Sequence, residues 1–459
     1  MYVSTRWFLA LGVAAALAGC GDDARPTDAG GTDAGLRDSG RSDGGHVDAG
    51  RTDSGGGGDG NDSFAQAVDI PVGDTAGAAG TIDPPGDHDF FRFEGMADDW
   101  MIISTEANPD GELTMVDTVI TLYDSSMTQI AEDDDAQPWV NPDSEIIIRL
   151  PTTGTYYVEV QEFSTWSGDP DVGQPDFDYV ITAFGLNLTA ASVTVDPESG
   201  DTLATAADVN LDMSFGLVVG DLRDTSDVDV YRFTVGGTGV QNVEADIMPW
   251  GTDSYGSTSP AGAFWLTDEA GSTIIARSDP SMDYNELSPS LDPGNYLLWL
   301  DHPGGTAGAN DFYVLKVYAG AMENTLEAME MANNTLAGAE ALPLTDSMGT
   351  RSGFILAHLP TNADVDYFSI DVLAGEEVTF VCSSAAAGSG VRALRVELRD
   401  GTDTALAAMT EATPDGADIL DRAVPSAGTY YLRLSKGSQD ATVTGDWVRC
   451  GVHAEVPAP

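Results

Sequence analysis

The chain repeats itself, and the repeat limits what it can fold into. An Asp-x-Asp pair opening an aromatic-rich segment occurs three times: Asp87-His88-Asp89-Phe90-Phe91-Arg92-Phe93, Asp227-Val228-Asp229-Val230-Tyr231-Arg232-Phe233 and Asp364-Val365-Asp366-Tyr367-Phe368-Ser369-Ile370. Gly-x-Tyr and an alternating segment follow each pair, starting at Gly154, Gly294 and Gly428, which lie 67, 67 and 64 residues after the first aspartate. A closing segment around Tyr179, Tyr313 and Trp447 comes next in each case. Two motifs held at near-constant separation in triplicate mark the duplication of one folding unit. The limits of the copies fall near 61–186, 196–320 and 331–455, and each copy is long enough to bury its own core.

Within a copy, apolar and polar residues alternate, the turns are rich in Gly, Pro, Asp and Asn, and helical periodicity is scarce. The predicted class is all-β: three tandem β-sandwich domains, jelly-roll-like, after a disordered linker. Period-2 alternation turns Tyr156, Val158 and Val160 toward the core and Tyr157 and Glu159 outward. The same rule sends Leu297 and Trp299, and Tyr431 and Arg433, to solvent. One segment departs from the pattern. Over 322–331, Met322, Leu326 and Met329 recur at helical spacing and predict a short connecting helix.

The order of these signals is an Asn-Asp-type start, a short Ala/Leu segment, the Asp-x-Asp strand, Leu122-Tyr123-Asp124, then Gly-x-Tyr. It resembles the bacterial pre-peptidase C-terminal domain, a β-sandwich appended to secreted proteases and other surface proteins, and is similar to the collagen-binding modules of collagenases. The likeness extends over nearly all of 61–455 and is clearest in the first copy. It implies an accessory module, often calcium-dependent, with the metal between an acidic lead-in and the Asp-x-Asp turn. On that pattern the ligands in the second copy are Asp196, Glu198, Asp201, Asp227 and Asp229. In the first they are Asp59, Asn61, Asp62, Asp87 and Asp89. The third copy keeps Asn333, Asn334, Asp364 and Asp366 but has Met329 and Met331 in the lead-in, which ranks it last for metal. Oxygen donors of this kind suit calcium; the alternative is that Asp-x-Asp only shapes a turn. Asp133-Asp134-Asp135 reads as a solvated loop, and His88 as a solvated turn residue.

The third copy alone has Cys382 and Cys450. In an oxidising compartment these are expected to pair, the alternative being two buried thiols. A disulfide here would do for the third copy what a metal does for the others.

The N-terminus is an address rather than a fold element. Arg6 precedes a short apolar run ending Leu17-Ala18-Gly19-Cys20, which looks like a bacterial lipoprotein signal over residues 1–19 with acylation at Cys20. Residues 20–60 read as a disordered Asp/Gly-rich tether, and six xxDxG pentapeptides fill 26–55. With almost no apolar side chains to offset ordering entropy, such a segment reaches about 35 Å. These features predict membrane attachment through lipid, at the outer membrane or surface of a bacterial envelope.

The chain carries 75 Asp+Glu against 19 Lys+Arg, a formal charge of -56. That balance excludes a nucleic-acid partner. No His-Glu-x-x-His, Gly-x-Ser-x-Gly or phosphate-loop pattern occurs, so catalysis is not expected. The functional expectation is a non-catalytic, lipid-anchored surface protein that binds an extracellular protein or glycan, with Tyr157, Trp299 and Tyr431 as contact residues. Ordinary cross-strand packing is the competing account of those aromatics. Other roles consistent with the sequence are a structural or scaffolding envelope lipoprotein, or an accessory module protein of a secreted peptidase.

Overall fold

The computed structural model describes residues 60–107, 116–134, 136, 143–168, 170–197, 199–222, 224, 226–248, 255–257, 264–278, 286–302, 311–320, 325–327, 332–347, 350–411 and 416–456. The described chain is nearly all strand, as the alternation predicts. Its helices are one short segment, Phe163–Ser167, and a 3-10 turn, Leu336–Gly338. Asp59, Glu198 and Cys20, together with the tether, lie outside the described residues.

Among the described residues six sheets form, two from each copy, and one connectivity recurs. In the first copy a five-stranded sheet runs Val68–Asp69, Asp89–Gly95, Gly154–Glu162, Thr118–Tyr123, Gln129–Asp133. A four-stranded sheet runs Ala78–Thr81, Asp178–Gly185, Trp100–Glu106, Glu145–Arg149. In each copy the Asp-x-Asp strand pairs antiparallel with the Gly-x-Tyr strand, matching Asp89 with Val160, Asp229 with Leu300 and Asp366 with Leu434. On the other side of the Asp-x-Asp strand lies a short parallel edge strand. The closing strands Asp178–Gly185, Phe312–Gly320 and Trp447–Glu455 sit centrally in the second sheet of each copy. Constant motif spacing is thus the length of chain needed to return to one register.

The inward alternation holds: Tyr156, Val158 and Val160 are buried. Phe91, Phe93, Ile102 and Ile148 complete the first core. Cys382 and Cys450 face each other across adjacent strands as directly paired residues, 4.1 Å apart at Cα, and are joined as a disulfide. Both are buried in the third core.

Four expectations need correction. Thr325–Leu326, inside the predicted helix, is a strand pairing parallel with Thr350–His358, because an edge of the third sheet is open to it there; Met322 and Met329 lie outside the described residues. Leu297 is fully buried although its strand points it outward. The turn through Gly271 covers it: a Cβ there would lie 3.9 Å from Leu297 and 3.2 Å from Trp299. Arg433 bonds the buried carboxylate of Glu397 rather than standing in water. Asp133 ends a strand, accepts the Glu145 N–H at 2.9 Å and acts on a cationic side chain of the second copy. Its solvated-loop reading failed because that partner is distant in sequence.

The copies are docked, not strung. Phe215, Leu217, Val219, Phe312 and Val314 of the second copy join the apolar cluster of the first. Trp100 meets Phe312 edge-on at 5.2 Å, and Arg149 bonds Asp221 at 2.8 Å. Lys316 is buried, with Nζ donating to Ala136 O at 2.8 Å and Tyr255 Oη at 2.9 Å and lying 3.1 Å from Glu145. Burial disfavours its charge, yet Glu145, Tyr318 and Asp133 outweigh that and raise its pKa. The third copy is stitched on by main-chain bonds: Arg277 N to Gly388 O, Ser288 N to Ala387 O, Thr444 N to Ile274 O and Gly445 N to Ile275 O.

Two outcomes follow. Replacing Cys382 and Cys450 by Ala should lower stability of the third copy by about 4 kcal/mol, the chain-entropy value for a loop of this length, read by urea denaturation. Lys316→Met leaves buried carboxylates uncompensated and should cost about 3–5 kcal/mol, measured in the same way.

Candidate functional site

Each Asp-x-Asp turn stands at the entrance to a central strand, and register forces its second aspartate into the core: Asp89, Asp229 and Asp366 are 0, 1 and 0 % exposed. A preceding loop crosses over this entrance and is pinned by one recurring bond. Asn61 O accepts Phe90 N–H at 2.9 Å, Gly200 O accepts Val230 N–H at 3.2 Å and Asn333 O accepts Tyr367 N–H at 2.9 Å. These bonds align Asn61, Gly200 and Asn333, and place Asp62, Asp201 and Asn334 at the next position.

In the second copy Asp201, Asp227 and Asp229 bring one carboxylate oxygen each to within 4.8 Å of one another. Asp196 follows the edge strand Val193–Val195, and its N–H bonds Val219 O at 2.9 Å. Tyr313 Oη donates to Asp229 at 2.7 Å and also bonds Tyr231. Burial first, then Asp229 and Asp196 for Tyr231, and Tyr231 followed by the same two aspartates for Tyr313, push both phenols well above their usual pKa, so they remain donors. Room for the Tyr313 hydroxyl comes from Gly220 on the neighbouring strand, where a Cβ would collide with it and come within 2.9 Å of Asp196.

The first copy repeats the arrangement. Tyr179 donates to Asp89, and Gly80 stands opposite, where a Cβ would lie 2.8 Å from the Asp89 carboxylate. Asp87 accepts the Asp83 and His88 N–H groups, both at 3.1 Å. Asn61 is buried, and neither its Oδ1 nor its Nδ2 has a hydrogen-bond partner; Asp62 Oδ1 also lacks one. Oxygens dehydrated and unbonded beside buried carboxylates form a donor set suited to a hard cation.

In the third copy Met329 and Met331 lie outside the described residues, and the acidic lead-in role falls to Glu327. Its N–H bonds Leu356 O at 3.1 Å, as Asp196 bonds Val219, and its carboxylate accepts Asn333 Nδ2 at 2.5 Å and His358 N–H at 2.8 Å. Asn333 Oδ1, Asn334 Oδ1 and Asp364 Oδ2 have no partner. The spacing from Glu327 to Asn333 is two residues longer than from Asp196 to Gly200, which hid the correspondence. The tyrosine–glycine pair is replaced here by Trp447 opposite His358. Trp447 Nε1 is buried without a partner, while His358 bonds Asp446 and Ser290 at 2.9 and 2.8 Å.

Tyr157, Trp299 and Tyr431 all lie on the outward face of the five-stranded sheets, one to a copy, and each is half-buried. Phe64, from the loop after Asp62, packs on Phe90, Tyr123 and Tyr157 at 4.7, 5.1 and 5.4 Å. Trp299 stacks on Trp265 at 5.9 Å and donates to Thr267 at 2.9 Å, with Arg277 over Trp265. Tyr431 pairs in register with Ser369 and Arg399. His88, expected in solvent, is half-buried with Nδ1 2.7 Å from Glu159, which also accepts Tyr123 Oη at 2.6 Å. The outward-facing Glu159 on the adjacent strand supplies the partner that the turn itself lacks.

Among known proteins, a 102-residue stretch, 22% of this chain, is 36% identical to a "Probable subtilase-type serine protease" of Deinococcus radiodurans. The chain spans about an eighth of that relative's length, 13%. The pre-peptidase C-terminal domain of collagenase from Bacillus anthracis aligns at 18% identity over 25% of this chain and 93% of that one, with a TM-score of 0.18. Aeromonas hydrophila PliG, a periplasmic inhibitor of g-type lysozyme, aligns at 14% identity over 26% and 97%, with a TM-score of 0.19. Residues 87–162, from the first Asp-x-Asp turn to the end of the Gly-x-Tyr strand, match the family model of the bacterial pre-peptidase C-terminal domain.

Proposed function

We propose that the protein is a non-catalytic display protein of a bacterial envelope, anchored by lipid at Cys20, whose cation-stabilised β-sandwich copies bind an extracellular protein or glycan. The observation that carries this reading is the convergence of Asp201, Asp227 and Asp229 at the strand entrance. Three carboxylates that close repel one another, and a divalent cation removes the repulsion. Calcium is the cation of choice, because it accepts six to eight oxygens in irregular geometry. Asp196, Asp201, Asp227 and Asp229 would hold it in the second copy, and Asn61, Asp62, Asp87 and Asp89 in the first. The bound ion would supply positive charge and fix the entrance of the central strand. The pre-peptidase match over 87–162 supports an accessory rather than catalytic role.

Calcium at a hundred times its Kd should stabilise the chelator-stripped chain by about 2.7 kcal/mol, seen as a rise in melting temperature of several degrees. Combined Asp227→Asn and Asp229→Asn should remove the response of the second copy; an unchanged melting curve in wild type would refute the metal.

For the ligand, the exposed edges of Tyr157, Trp299 and Tyr431 are the contact candidates. Alanine at a true anchor should weaken binding on a glycan or protein array by about 2 kcal/mol, roughly thirtyfold. Unchanged binding in the triple variant would assign these aromatics to sheet packing alone. A second reading, an accessory segment working with a secreted peptidase, is favoured by the Deinococcus likeness. Recovery of a fluorophosphonate-labelled serine peptidase with the chain from intact envelopes would support it.

A further inference from the structure

The joint between the second and third copies encloses more acid than base. Glu244 and Asp246, two apart on strand Gln241–Met248, project from one face, beside Glu286 on the next strand. All three are buried. Arg449 of the third copy bonds Glu286 and Ser288 and lies 3.9 Å from Glu244. Lys316 approaches Asp246 from the neighbouring strand but already serves Glu145, with Asp133 nearby, in the first copy. Tyr255 and Tyr318 also face this space, and elsewhere along the same joint His358, paired with Asp446, meets Ser290 while Arg277 acts on Asp440. Five carboxyls therefore meet two cationic side chains. Asp246 Oδ1 is buried without a hydrogen-bond partner, and a carboxyl so placed beside Glu244 and Glu286 is relieved of repulsion when it carries a proton.

We propose that the third copy docks on the second through a carboxyl cluster that holds protons, so that the joint loosens as the medium becomes alkaline. The direction of every shift agrees. Burial, then Glu244 and Glu286, hold Asp246 well above the carboxylate range. Burial raises Glu286 to about 7 despite the opposing pull of Arg449, with Glu244 adding to the rise. Undocked and hydrated, such groups titrate near about 4. Between that value and the docked one, the docked form binds more protons, so raising the pH weakens docking. Each extra proton held costs tenfold in the docking constant per pH unit. The contact is fully formed below the hydrated value and is lost as pH rises through neutrality.

The four amides that bond across this joint, those of Arg277, Ser288, Thr444 and Gly445, report on it directly. Hydrogen exchange would be followed on the full chain carrying Cys20→Ser, at constant saturating calcium, and corrected for intrinsic pH dependence. Between pH 5.5 and 8.5, protection of these amides should fall at least tenfold, while amides within the sheets, such as Leu432, keep theirs. Asp246→Asn, a neutral isostere of the protonated acid, should retain joint protection at pH 8.5, and Glu244→Gln provides a second such variant. Unchanged joint protection in wild type would overturn the proposal. So would an equal loss in both variants, or a parallel loss in the sheet amides.

Discussion

One antiparallel pairing governs each copy. Matching the Asp-x-Asp strand to the Gly-x-Tyr strand sets which residues face inward, and a slip of one residue would exchange every core side chain for an outward one. The same register carries Asp89, Asp229 and Asp366 out of water. A carboxylate cannot be dehydrated without compensation, so everything near the strand entrance answers that need. In the first two copies the tyrosine of the closing strand donates to the aspartate and a glycine opposite it yields the space; in all three a loop rich in oxygen donors crosses above.

The all-β class was legible because period-2 alternation is a property of neighbouring residues. The oxygen donors of the entrance were legible too, since Asp62, Asp201 and Asp227 lie close to their own motifs. Other features depend on partners far along the chain. Gly80 meets Tyr179, and Gly220 meets Tyr313, only once the second sheet has closed. Glu327 was hidden by two inserted residues. Leu297 obeyed the alternation and was buried anyway, because a turn from another hairpin lies across it.

Lys316 offered a signal that composition made available. The chain has two lysines, and this one interrupts the apolar run Phe312-Tyr313-Val314-Leu315-Lys316-Val317. A lone ammonium in such a strand is expected only beside a buried acid. Its acid belongs to another copy, so its meaning emerged from docking. Three of the scarce cationic groups, Arg149, Lys316 and Arg449, each cross a boundary between copies in the same way.

His358 records how far the third copy has diverged from its siblings. It occupies the place of Gly80 and Gly220, and instead of clearing a path for a phenol it reaches Ser290 of the preceding copy. A position that services the strand entrance in two repeats has become an adhesive between repeats in the third. The units are therefore homologous without being interchangeable. Shuffling their sequence order, or excising the last for use alone, would take from His358 its Ser290 partner and from Trp447 the apolar cluster of the second copy in which it is buried.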